Sequence, residues 1–171
     1  MQTYFRIIRR GVLAAAIAAA GLVGSAGAQQ TPAGQARLTP GEIPWPKAAG
    51  AGAGTSGASG ISTIVLKGDP TKAGLYVLEL RAAPNVVIQA HSHKDDRMAT
   101  VLKGTWYFGY GDKFNEAGLK ALPVGSYYTE PPNTPHFART RDEVVIRITG
   151  YGPTSTTYVN PADDPANAAK K

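Results

Sequence analysis

The chain has 171 residues, with 18 Lys and Arg against 12 Asp and Glu for a formal charge of +6, three histidines and no cysteine. The missing cysteine excludes disulfides and thiolate metal sites. The basic residues stand singly rather than in a stripe alternating with aromatics, so no nucleic-acid partner is expected.

Residues 1–28 read as a secretory signal peptide. A basic opening with Arg6, Arg9 and Arg10 precedes the apolar run "GVLAAAIAAAGLVGSAGA", and Ala26-Gly27-Ala28 supplies the small residues of a cleavage site before Gln29. Arg9-Arg10 also resembles a loose twin-arginine export signal. The run is barely long enough to span a bilayer and is rich in Ala and Gly, so no stable membrane insertion is expected after cleavage. Loss of the three arginines takes the net charge from +6 to +3. The expected location is periplasmic or secreted.

Residues 29–60 read as a flexible Pro/Gly/Ala-rich linker. Pro32, Pro40, Pro44 and Pro46 lead into "AAGAGAGTSGASG", which holds too little apolar surface to offset its ordering entropy. Trp45 in "IPWP" is the exception, a candidate to dock on the domain. Residues 161–171 read as a loose C-terminal tail. This leaves 61–160, one domain's worth of chain.

No helical period runs over three turns in 61–160. Strand signal recurs instead, in "ISTIVLKG", "AGLYVLELRA", "NVVIQAHSH", "RMATVLKG", "TWYFGYG", "SYYTE", "EVVIRITGYG" and "STTYV". These are rich in Val, Ile, Thr and Tyr and are broken by Gly, Pro, Asn or Asp every eight to twelve residues or so, the pattern of an all-β sandwich or barrel. In "VVIQAHSH" alternation puts Val87, Gln89, His91 and His93 on one face and Ile88, Ala90 and Ser92 on the other. The two histidines then stand ~7 Å apart along one strand face, within reach of one ion. The alternative is a set of structural histidines, each with its own buried partner.

"HSHKDDRMATVLKG" followed by "GSYYTEPPNTPH" resembles the two conserved stretches of the cupin superfamily, which implies a single-domain jelly-roll β-barrel. In the first stretch His91, His93 and Gly104 match, while Arg97 stands where the family has Glu. In the second, Gly125, Pro131 and His136 match, Asn133 replaces a Gly, and Thr140 replaces an Asn. Asn tolerates the left-handed backbone that such a Gly supplies. The resemblance puts the family's metal ligands on His91, His93 and His136, all the histidines of the chain. Three neutral imidazoles hold a divalent ion and leave positions for water or substrate. Imidazole does not choose among Fe, Mn, Ni, Cu and Zn.

Arg97 keeps its charge, and a cation repels a nearby ion. It could clamp a substrate carboxylate, or a slip of one residue could bring Asp96 in as a fourth ligand. Alternatively, the pocket could be a cationic one without metal. Gln89 is a candidate to bond a metal-bound water or orient an imidazole; Tyr107 and Tyr127 are candidates to line the pocket. Arg97 and Gln89 are thus the catalytic candidates. Some cupin dioxygenases, those of thiols and of a diketone, also lack the Glu. The resemblance therefore implies a dioxygenase-like enzyme acting on a small anionic or carbonyl compound. The alternative is a non-catalytic module that binds a small ligand or metal in the periplasm. An exposed first strand, "ISTIVLKG", suggests a homodimer that covers it.

Overall fold

The computed structural model describes residues 35–47 and 52–168. The signal peptide read over 1–28 lies outside the described residues. The chain divides into units 1–39 and 40–171. Residues 35–39, the described part of the first unit, form neither helix nor strand, and every described strand belongs to the second. No described helix is long and apolar enough to cross a membrane.

Among the described residues, ten strands make two antiparallel five-stranded sheets. The strands are β1 (Ile61–Lys67), β2 (Gly74–Ala82), β3 (Val87–Ser92), β4 (Arg97–Lys103), β5 (Trp106–Tyr110), β6 (Lys120–Leu122), β7 (Tyr127–Glu130), β8 (His136–Arg139), β9 (Val144–Gly152) and β10 (Thr157–Tyr158). One sheet runs β1-β2-β9-β4-β7 and the other β10-β3-β8-β5-β6. Each segment with strand signal contributes a strand. The signal missed β6, which is too short to show alternation, and β8, hidden by the turn residues of "PPNTPH".

The first sheet's inner face is graded. Leu80, Ile146 and Val101 stand abreast on β2, β9 and β4, followed by Leu78, Ile148, Ala99 and Tyr128 across β2, β9, β4 and β7. The last row is Tyr76, Gly150, Arg97 and Glu130. Gly150 is required there, because a Cβ would run into the Tyr76 hydroxyl. The apolar rows meet Ile88, Trp106, Phe108, Leu122 and Ala138 of the second sheet in a single core cluster. Burial of each such side chain contributes about 1.5–3 kcal/mol, and the polar row lies at the end where the histidines converge.

Strand β3 departs from simple alternation. Its pairing with β8 shifts register between Ile88 and His91. Ile88 and His91 are both buried, whereas Val87 is exposed, so Val87 and Gln89 do not share the histidine face. An extra residue in one strand of a pair reverses the alternation beyond it, and nothing in the residue types of "VVIQAH" announces that bulge.

Within the stretch read as a linker, Thr55 and Ser56 are buried. The Thr55 carbonyl accepts from Thr156 Oγ1 at 2.9 Å, and the Ser56 carbonyl from the Tyr158 hydroxyl at 2.5 Å. Side chains of the β10 region thus hold this segment through its backbone, a means of ordering that needs no apolar residues. Trp45 lies under the Arg81 guanidinium, 4.2 Å from the ring centroid. In the tail, Asn160 caps a 3-10 turn at Pro161–Asp163, and a four-residue helix, α1 (Pro165–Ala168), follows.

Candidate metal centre

His91 near the end of β3 and His136 at the start of β8 are direct cross-strand partners, and His93 follows β3 immediately. All three are buried. Each is oriented by a backbone carbonyl. His91 Nδ1 lies 2.8 Å from the Gln89 oxygen, His93 Nδ1 2.8 Å from the Ser155 oxygen, and His136 Nδ1 3.0 Å from the Thr134 oxygen. A carbonyl only accepts, so each Nδ1 carries the hydrogen and each Nε2 of a neutral ring is a bare lone pair. One ligand atom from each ring falls within 4.8 Å of the others.

Burial, with help from the neighbouring His136, pushes the His91 ring down to about 4. Burial and then the Arg97 cation push His93 down to about 2. Both rings are therefore neutral near pH 7. With all three rings oriented by carbonyls, their Nε2 atoms form a donor set that suits a divalent ion.

The turn before β8 is built for this site. Asn133 adopts φ 56°, the left-handed conformation anticipated for it, and its N–H donates to the His93 carbonyl at 2.6 Å. Thr140 is fully buried, accepts from Val86 N at 2.9 Å and donates to the Ala83 carbonyl at 2.6 Å. It ties the end of β8 to the entry of β3 and does not touch the histidines.

Arg97 points inward and is 2% exposed. Its Nη1 donates to the Gly54 carbonyl at 2.5 Å, and its Nε lies 3.2 Å from Glu130 Oε2 and 3.9 Å from Asp95 Oδ2. Asp95 accepts from the Tyr76 hydroxyl at 2.6 Å and from Thr154 Oγ1 at 2.5 Å. Arg97 thus has two buried carboxylates beside it, and Nη2 has no partner. Asp96 is exposed, away from the imidazoles. Gln89 reaches His91 through its carbonyl; its side chain lines a separate cleft with Asp112, Lys113 and Asn160. Tyr107 lies under Arg141, and Tyr127 is 60% exposed, so neither lines the histidine cavity.

Glu130 is the residue that sequence reasoning missed. It is buried, with Oε2 3.6 Å from His93 Nε2 and 3.8 Å from His136 Nε2. Burial alone would raise its pKa, but the Arg97 guanidinium overrides this and holds it at about 2. Two signals were available: Glu130 shares a strand face with buried Tyr128, and it lies six residues before His136.

The cavity bounded by these groups measures about 20 Å³. Apolar side chains such as Ile88, Phe108 and Ile148 form most of its wall, and Gly54, Thr55 and Ser56 lie along one side. Such a volume holds about one water molecule.

No family model matches the chain, and no curated protein matches it. Solved structures do. The polyketide cyclase RemF from Streptomyces resistomycificus is 15% identical with a TM-score of 0.56, over 80% of this chain and 94% of that one. KdgF from a Halomonas species is 18% identical with a TM-score of 0.49, over 69% and 94%. An RmlC-like cupin from Shewanella frigidimarina is 17% identical with a TM-score of 0.45, over 54% and 76%. At such identities what is shared is the architecture, two antiparallel sheets in the fold of the cupins; the buried three-histidine cluster is a feature of this chain.

Proposed function

We propose that the protein binds one divalent metal ion on His91, His93 and His136, and that the loaded site is a dioxygenase-like centre for a small anionic or carbonyl compound. One observation carries this reading: three buried Nε2 lone pairs face one another, each enforced by an Nδ1–H bond to a carbonyl. A bound ion of Fe, Mn, Ni, Cu or Zn supplies a Lewis acid and, where redox-active, an electron source. The chain's own groups do the rest. The carbonyls of Gln89, Ser155 and Thr134 orient the ligands, and the apolar wall excludes water. Arg97 keeps Nη2 unpartnered, a donor suited to the anionic end of a substrate. At this volume the cavity admits nothing larger than about a water molecule, so an organic substrate requires its wall to widen.

That small volume favours a second reading, a non-catalytic metal-binding module. Oxygen uptake by the Fe(II)-loaded protein, measured across thiols, diketones and aromatic acids, separates the two. Turnover of any member supports the enzyme; silence across the panel with a full equivalent of tightly held metal supports the module. A chain that retains no Fe, Mn, Ni, Cu or Zn would sink both.

We further propose that the protein acts after export, in the periplasm or outside the cell, as the segment read over 1–28 implies. β1 forms one edge of its sheet and exposes Val65, which supports pairing with a second copy. Light scattering at micromolar concentration tests this, and a monomer there counts against it.

A further inference from the structure

The inner ends of β4 and β7 carry a cation and an anion in register, Arg97 opposite Glu130. A simple buried ion pair would be hydrogen-bonded, because unpaired buried charge is costly. Here Arg97 Nε and Glu130 Oε2 are 3.2 Å apart, yet neither atom makes a hydrogen bond. The Nε–H is therefore not aimed at the carboxylate oxygen.

The carboxylate oxygen lies beside the imidazoles, 3.6 Å from His93 Nε2 and 3.8 Å from His136 Nε2. A buried oxygen without a hydrogen-bond partner, set among ring nitrogens that converge on one point, has the placement of a further donor to an ion held there. Ligand atoms each ~2.1 Å from one ion stand no more than ~4.2 Å apart. Both Glu130 separations meet that limit, and the three imidazole donors, within 4.8 Å of one another, would draw slightly closer around an ion.

We propose that Glu130 is a fourth ligand to the ion held by the three histidines, with Arg97 as the counter-ion that positions its carboxylate. This rests on the histidine site proposed above. The carboxylate that the sequence resemblance would place at position 97 thus comes from the neighbouring strand, and the cation occupies its former place. When Glu130 engages an ion, Arg97 still has Asp95, whose oxygen lies 3.9 Å from Nε.

The test measures Zn(II) affinity by competition with a chelator, and the electronic spectrum of the Co(II)-substituted full chain. The variants are Glu130→Gln, Glu130→Asp and His91→Ala, each checked for folding by circular dichroism. Asp keeps the anion beside Arg97 but draws its oxygens back by one methylene, so it separates coordination from charge compensation. The double variant Arg97→Met/Glu130→Gln serves if Glu130→Gln alone does not fold.

Both Glu130 variants, or the double variant and Glu130→Asp, should bind Zn(II) about 100-fold more weakly or worse, beyond what groups acting through another ligand usually cost. Their Co(II) spectra should change in intensity and position. Wild-type affinity and spectrum in Glu130→Asp would overturn the proposal, because charge alone would then be sufficient. Loss of binding in His91→Ala with both Glu130 variants unchanged would overturn it too, leaving the histidine site intact. A wild-type chain that binds no metal would overturn the histidine site and this inference together.

Discussion

The two sheets contribute to the site by different means. The sheet of β3 and β8 supplies three imidazole rings, each oriented by a backbone carbonyl. The sheet of β4 and β7 supplies opposite charges held by strand register, Arg97 against Glu130. A carbonyl is present whatever the side chain, so the first arrangement tolerates substitution around it. The second depends on two named side chains, and losing either leaves a buried charge. Mutation should therefore damage the charged sheet's stability most and the histidine sheet's metal affinity most.

The largest effect should come from breaking the charge pair. Arg97→Met leaves the Glu130 carboxylate buried without its cation, which costs about 3–5 kcal/mol of unfolding free energy in the metal-free protein. Urea unfolding measures it. Arg97→Met/Glu130→Gln should recover most of that loss, because removing both charges is far cheaper than removing one. Equal losses in the single and double variants would mean that Arg97 matters through packing instead.

Acid should expose the histidine sheet next. His91 is held at about 4 in the folded chain against an ordinary value of 6.5. The unfolded state therefore binds the extra proton first. The contribution is complete above about pH 6.5 and is lost as pH falls toward 4, a change on the order of 3 kcal/mol for this group. Glu130, held at about 2 against an ordinary 4.5, contributes its own loss only below about pH 4.5. His93, held at about 2, adds a loss that runs from about pH 6.5 down through the same range. Glu130→Gln should therefore lessen the loss of stability below pH 4.5 without abolishing it. Stability unchanged between pH 6.5 and 5 would contradict the neutral, buried assignment of His91.

Metal should add to stability through both sheets. At free Zn(II) a hundredfold above Kd, binding contributes about 2.7 kcal/mol. For a domain of this size that raises Tm by about 10–20 °C. Thermal unfolding with and without a chelator measures it, and His136→Ala should show no such shift.

The same division explains what was legible in the sequence. His91, His93 and His136 lie in two short stretches with a recognisable spacing, and period-two patterning gave most of the strands. Glu130 was hidden because its meaning comes from Arg97, a partner thirty-three positions away that only strand pairing brings opposite. The bulge between Ile88 and His91 was hidden because backbone irregularity follows from how β3 meets β8, not from residue type. The order at Thr55 and Ser56 was hidden for a related reason. Small residues in a Gly-rich run read as a tether, yet here their carbonyls accept from Thr156 and Tyr158, about a hundred positions onward.

The smallest expected effect is at Gln89, and it sharpens the contrast between the sheets. Alternation puts the Gln89 side chain among the histidines; the bulge turns it into a cleft beside Asp112 and Lys113 and leaves only its carbonyl on His91. Ala supplies the same carbonyl. Gln89→Ala should therefore leave Zn(II) affinity and stability within about 0.5 kcal/mol of wild type, roughly a twofold change in Kd. Pro at 89 is a harsher probe, since its locked φ would disturb the bulge that aims the carbonyl. Affinity kept in Gln89→Ala and lost in Gln89→Pro would show the backbone acting without the side chain. A tenfold loss in Gln89→Ala would return the side chain to the site, and with it the simple alternation that the bulge was found to break.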